Sequence, residues 1–196
     1  MKVWPLNSKI LENPDSENAD QKKTGFKKFQ VPQKGEAGSF WENRGDRYHC
    51  GVDLYAPEKT EVVSIERGVV TEIGIMTSPE ILPYWNPTYY VIIEHSRELF
   101  CKYGELAGFN VKKGDEIEPG QLIGHVGMVL NPSKIDDFCP LYIRKLKDRN
   151  PSMLHFEFWK KQPIVAHRNY LGGNWFGEEK PENLIDPTGY LEQLLS

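Results

Sequence analysis

Two short stretches hold residues able to do metal chemistry. In "RYHCGVDLYAP" (47–57), His49 and Asp53 stand four residues apart, and imidazole and carboxylate are both good ligands for a divalent cation. In a straight strand their Cα atoms would lie ~13 Å apart on one face, too far to share an ion. Gly51 between them permits a bend or bulge that closes the gap. Cys50 would point away from His49 in a regular strand and is not expected as a co-ligand. In "PSMLHFEFW" (151–159), strand alternation puts Leu154, Phe156 and Phe158 on one face and Met153, His155 and Glu157 on the other. The apolar face is the core face, which leaves His155 on a polar surface or cleft. Alone, a strand histidine is more often structural than a ligand. With His49 and Asp53 it completes two imidazoles and a carboxylate, with room left for water, the usual protein share of a catalytic zinc site.

The elements that must position these residues are short and strand-like. From about Phe40, "EVVSIERGVVTEIGI", "YYVIIEHS", "ELFCKYGEL" and "MLHFEFW" are β-branched or aromatic and are broken by Gly, Pro or Asn. No helical period holds before Pro187, so the expected class is mostly β and antiparallel. The closing "LIDPTGYLEQLL" suits a short C-terminal helix, and another short helix is possible near Leu141–Lys147. The segment "VKKGDEIEPGQLIGHVG" (111–127) reads as strand, Gly-Asp turn and strands, with Gly114 and Gly120 suited to positive φ. Biotinyl and lipoyl carriers use a similar repeat, but they need a modifiable lysine at an exposed hairpin tip, which is not found. A carrier or phosphotransfer module is therefore the weaker alternative, and the Asp53 spacing favours metal.

Residues 1–38 are read as an N-terminal strand and polar loop extension, the loop being "LENPDSENADQKKT" (11–24), and 39–196 as the β domain. Two long loops interrupt that domain: 76–88, with three prolines and an exposed-looking Tyr84-Trp85, and 128–152. Loops this long in a compact domain are usually functional or mobile. The second directly precedes the strand of His155 and is expected to border the site. Residues 160–183 are read as irregular. Tyr84, Trp85 and Trp175 could line a groove or merely pin their loops. His125 and His167 look like surface or loop residues, and "RGD" at Arg44–Asp46 is read as turn chemistry.

Bulk composition excludes several classes. Hydrophobic residues make up 39% and aromatics 12% of 196 residues, enough for a packed core. With 24 basic and 28 acidic residues, the net charge is −4; no basic patch argues for nucleic acid. Cys50, Cys101 and Cys139 are odd in number and lack CxxC spacing, so mostly reduced thiols are expected, with one pair plus a free thiol as the alternative. No apolar leader stands at the N-terminus and no long apolar run follows, so the expectation is a soluble cytoplasmic monomer without membrane insertion.

"HCGVD", "YGEL", "VKKGDEIEPGQLIGHVG" and "LHFEF", in this order, resemble the lysostaphin/LytM-type zinc endopeptidases (β-lytic metallopeptidases) over roughly Phe40 to Tyr190. The resemblance implies a small antiparallel β-sandwich, a barrel-sandwich hybrid of the duplicated hybrid motif type, whose groove holds zinc and whose substrates are peptide bridges of peptidoglycan or other Gly-rich peptides. It also implies an envelope or extracellular place of action, against the cytoplasmic expectation. The family's HxxxD motif falls on His49 and Asp53, and the second histidine of its HxH motif on His155, making these three the implied zinc ligands. Two positions depart. Met153 stands at the first histidine of HxH, and Glu105 at the histidine of Tyr-x-His. The family's histidines there steady the attacking water and the oxyanion; a thioether can do neither. Glu105 is open to three readings: a catalytic base, a fourth ligand, or a solvated residue. The implied function is a zinc metalloendopeptidase-type protein with reduced or altered catalysis, or a non-catalytic relative that binds cell-wall peptide or a protein. His95 matches a histidine often seen in the family and is read as packing or as outer support of the site. Glu157 is read as a support for the His155 ring or as solvent-facing.

Overall fold

A computed structural model of the chain describes residues 2–7, 29–96, 98–147 and 152–195. The polar 11–24 loop lies outside these residues. The strands are β1 (Tyr48–His49), β2 (Val52–Tyr55), β3 (Glu61–Val63), β4 (Gly68–Thr77), β5 (Thr88–Ser96), β6 (Leu99–Phe109), β7 (Glu116–Ile117), β8 (Leu122–Val126), β9 (Met153–Trp159), β10 (Tyr170–Leu171), β11 (Asn174–Trp175) and β12 (Leu184–Ile185). Among the described residues the α-helices are the short α1 (Leu141–Leu146) and α2 (Thr188–Leu195). The fold is mostly β and antiparallel throughout its pairings.

The large sheet runs β12-β9-β6-β5-β4-β7, with β2 added to β9, β8 to β6 and β3 to β8. Strand β9 is its pivot. One edge pairs with β6 along Phe100–Gly104, and the other takes β2 at Met153–Phe156 and β12 at Phe158–Trp159. Its alternation is the one expected. Leu154, Phe156 and Phe158 enter the core with Val52, Leu54, Tyr103 and Leu106, where each such side chain contributes ~1.5–3 kcal/mol of burial. Rings meet edge-on at 5.0 Å for Tyr103–Phe156 and 5.2 Å for Phe156–Phe158. Helix α2 closes the core through Leu191 and the Tyr190 ring, 5.0 Å from Phe158. The N-terminal segment lies antiparallel along β3: Leu6 bridges Val62, and the Val3 N–H donates to the Ile65 carbonyl.

The small sheet, β1-β11-β10, is separate. Its hairpin, "YLGGNW", turns at Gly172 and Gly173 with φ of +54° and +76°, and converts the part of 160–183 read as irregular into ordered structure. The two long loops pack on each other. Tyr84, Leu130, Ile135 and Ile143 form a second small core between them, and Trp85 bridges Leu130. Tyr84, exposed-looking in the sequence, is buried because the second loop covers it. Among the described residues, no helix is long and apolar enough to cross a membrane.

Candidate metal centre

The register of three neighbouring strands sets the site. Asp53 on β2 faces His155 on β9, which faces Gly104 on β6. His49 arrives from the small sheet across Cys50–Gly51. A Cβ on Gly51 would sit 2.3 Å from the Phe156 carbonyl oxygen, so only glycine lets the chain press onto β9 at this bend. The bend brings His49 back over Asp53. His49 Nε2, Asp53 Oδ1 and His155 Nδ1 then lie 3.0 Å from one another, all three residues being buried. Cys50 turns away into a cluster with Trp159, Tyr170 and Leu184, and all three cysteines are free thiols.

The outward atoms of this triangle are all held. His49 Nδ1–H donates to the Ser39 carbonyl at 2.9 Å. His155 Nε2–H donates to Glu157 Oε1 at 2.8 Å. Asp53 Oδ2 accepts from Arg44 Nη2 at 3.0 Å. In neutral rings, these outer bonds leave the lone pairs of His49 Nε2 and His155 Nδ1 pointing inward beside a carboxylate oxygen. Edges of 3.0 Å are about 0.4 Å short of the ~3.4 Å between tetrahedral ligands at ~2.1 Å from zinc, so a small outward movement of the three side chains would seat the ion. Chemistry and spacing therefore suit a divalent cation. Among the described residues, this is the cluster of His, Cys, Asp and Glu able to hold one.

Without a cation, protons do the balancing. Burial pulls the His155 imidazolium down, but its hydrogen bonds with Asp53 and Glu157 outweigh this and lift it to about 9. Burial also lowers His49, more than Asp53 raises it, so His49 stays neutral. Burial pushes the Asp53 carboxyl up, yet the neighbouring imidazoles and Arg44 hold it well below the usual carboxylate range. One proton on His155 thus occupies the centre of the triangle.

Glu105 reaches this cleft by a backbone irregularity. Cys101 and Tyr103 face the core, and so does Leu106, which needs one extra residue between them. The β5–β6 register slips there, and Glu105 has φ of +61°, a left-handed bulge. The bulge turns a side chain due for the core into the cleft instead. Burial, then the nearby Asp53 charge, raises its carboxyl to about 8. Among the described residues its carboxylate takes no hydrogen bond, and it does not belong to the three-residue cluster. Met153 shares the face of His155 and is buried beside Gly127 and Tyr55.

The cleft holds about 180 Å³. Glu105 and His155 line its floor, Arg44, Asn174 and Phe176 one side, and Tyr84, Trp85 and Leu130 from the two long loops the other. Several residues lie elsewhere than the sequence suggests. Arg44 indeed belongs to a turn, but its guanidinium also joins Glu42, Asn174 and Asp53. His95 stands away from the triangle, its ring against the Tyr103 hydroxyl and the Arg67 carbonyl. Trp175 stacks on His167 at 4.9 Å and is not part of the cleft. Lys102 has no short-range signal in the sequence, yet it is fully buried opposite Glu157.

A family model described as Peptidase family M23 matches residues 47–166. Among solved structures, the catalytic domain of the antimicrobial peptidase lysostaphin from Staphylococcus simulans is 20% identical, over 84% of this chain and 92% of its own, with a TM-score of 0.50. A structure of LytU is likewise 20% identical, over 86% and 88%, with a TM-score of 0.50. A longer lysostaphin from Staphylococcus simulans is 16% identical, over 99% of this chain and 56% of its own, at 0.51. At these identities the structures speak for the shared fold. No curated protein matches the chain. The family model spans the bend with His49 and Asp53, the bulge with Glu105 and the strand with His155, and the chain belongs to peptidase family M23.

Proposed function

We propose that the chain is a zinc-binding M23 protein whose cleft takes extended peptides of the peptidoglycan-bridge kind, with catalysis altered by Glu105 and Met153. One observation carries this reading: three donor atoms converge at 3.0 Å while each outward atom is separately held. His49 Nε2, Asp53 Oδ1 and His155 Nδ1 would hold the ion, which supplies Lewis acidity toward a carbonyl and acidifies water. Arg44 fixes the outer oxygen of Asp53, so the inner one stays directed at the centre. Glu105 lines the cleft, and its carboxylate, ionised once the cation is in place, would take a proton from water and return it to a leaving amine. Met153 has no N–H to offer a developing oxyanion. The loss of one such donor costs roughly 10²–10³ in rate. The paired long loops narrow the cleft, which favours slim, Gly-rich peptides. Such a substrate lies outside the membrane, so this reading has the protein act in the cell envelope.

Elemental analysis tests the metal, with one zinc per chain expected in the wild type and loss in His49→Ala, Asp53→Ala and His155→Ala. Full occupancy in all three variants would refute the site. Oligoglycine cleavage tests the chemistry: slow hydrolysis is expected, abolished in Glu105→Gln with zinc retained. Met153 favours a second reading, a zinc-holding relative that binds peptide without cutting it. Zinc-loaded wild type that binds but does not cleave would decide for it.

A further inference from the structure

Lys102 is the least expected buried group in the molecule. It is 1% exposed, directly opposite Glu157 in the β6–β9 register, on the face of the sheet that carries His155. Glu157 is wholly buried as well. Burying a lysine and a carboxylate together usually costs more than their attraction returns, so such a pair is poor evidence for a stabilising role. The local wiring suggests what else it does. The Tyr170 hydroxyl accepts from Lys102 Nζ and donates to Glu157 Oε1 at 2.5 Å. Lys102 Nζ itself lies 3.5 Å from that oxygen, and it sits over the Tyr170 and Tyr90 rings, 4.5 and 4.9 Å from their centroids. Trp159 Nε1–H donates to Glu157 Oε2 at 2.6 Å. The carboxylate is thereby fixed at both oxygens and cannot rotate. Its Oε1 in turn receives His155 Nε2–H at 2.8 Å.

We infer that Lys102 and Tyr170 are positioning residues for the metal centre, fixing Glu157 so that His155 presents Nδ1 to the triangle formed with His49 and Asp53. The inference rests on the zinc reading for its consequence, but not for its geometry. Lys102 supplies the countercharge that lets a wholly buried carboxylate stand behind the ring. Tyr170, from the β10–β11 hairpin, supplies the directed bond and ties that hairpin to the floor of the cleft. Gly173 of the same hairpin lies against the ring; a Cβ there would be 2.5 Å from His155 Nε2. The ring is therefore held in its plane from one side and along its N–H axis from the other.

The test uses the full chain with Lys102→Met and Tyr170→Phe, and an exposed-lysine control, Lys112→Met. Zinc affinity, from competition with a chromophoric chelator, is expected to weaken about 10- to 100-fold in the first two, the usual cost of disturbing an outer partner of a ligating histidine, and to be unchanged in the control. The second readout is the ring N–H proton resonance of His155 Nε2 in the metal-free protein, expected well downfield in the wild type and shifted upfield or lost to exchange in both variants. A role in stability alone would lower the melting temperature and leave that resonance in place. Unchanged affinity and an unchanged resonance in folded variants would overturn the inference. If Lys102→Met does not fold, Tyr170→Phe, which keeps the ring and removes only the hydroxyl, decides alone. If the wild type takes up no zinc, the zinc reading fails, and the His155 resonance still decides the positioning.

Discussion

On the zinc reading, uptake of the ion by this site would move protons, and their number follows from how His155 and Glu105 titrate. At pH 7 the His155 ring, lifted to about 9, carries a proton at the centre of the triangle, and the Glu105 carboxyl, lifted to about 8, is mostly protonated. Asp53 is ionised and His49 neutral. A cation entering the triangle displaces the His155 proton, because ligands bind deprotonated. It also acts on Glu105, whose carboxyl lines the same cleft as His155, because a nearby dication favours the ionised carboxylate. The wild type should therefore release about two protons per zinc at pH 7. The logarithm of its affinity should climb by about two per pH unit between about pH 6 and 7.5, then flatten as the pH passes Glu105 and finally His155. Glu105→Gln removes one of these groups, so about one proton and a slope of about one are expected. Calorimetry in buffers of different ionisation enthalpy counts the protons, and chelator competition across pH gives the slope. No proton release in the wild type would mean that Asp53 and Glu157 do not hold His155 charged. Equal counts in wild type and Glu105→Gln would mean that the Glu105 carboxyl does not feel the triangle.

Three further outcomes follow from the same groups. In the metal-free protein, His155 and Glu105 both have folded pKa values raised above their ordinary ones. Their stabilisation is thus full below the unfolded values and is lost as pH rises through about 8 and 9, on the order of 2–3 kcal/mol for His155; melting temperatures should fall from pH 6 to 9, less steeply in Glu105→Gln. Gly173→Ala should destabilise by at least ~1–2 kcal/mol, because φ of +76° disfavours a Cβ and that Cβ would strike the His155 ring; denaturant unfolding and zinc content check it, and an unchanged midpoint refutes it. Glu105→His with Met153→His should raise oligoglycine hydrolysis by at least about tenfold, ~1.4 kcal/mol in barrier, each change alone giving less; no gain in a zinc-loaded, folded double variant would put the deficit elsewhere.

What the sequence discloses of this protein is whatever period-2 alternation and glycine placement control. The alternation of Met153–Trp159 is enough to separate the core face, Leu154, Phe156 and Phe158, from the face carrying His155 and Glu157. A glycine between His49 and Asp53 is enough to allow the bend, although not to specify it; the specification comes from the Phe156 carbonyl, 2.3 Å from where a Cβ would stand. The "LGGN" turn at 171–174 has the composition of a two-residue hairpin loop, a signal present in the sequence but weakened by strands of only two residues on either side.

Arg44 and Lys102 mark a different limit. Arg44 meets Asp53 nine residues on and Asn174 one hundred and thirty residues on, and Lys102 meets Glu157 because β6 and β9 pair in one register and Tyr170 because the β10–β11 hairpin brings its hydroxyl there. No local pattern encodes such partners: a lysine in a strand between Cys101 and Tyr103 is, by its neighbours, expected on a solvated face. The bulge at Glu105 shows how the two kinds of information combine. Gly104 next to Glu105 hints at an irregular strand, but only the pairing of Leu106 with Tyr89 and of Tyr103 with Val91 shows that one residue is extra. That extra residue turns an acidic side chain from the core to the cleft. The chemistry available at the centre therefore depends on one backbone dihedral, held where Gly127 N–H donates to the Glu105 carbonyl at 2.8 Å and Glu105 N–H meets Met76 Sδ at 3.1 Å.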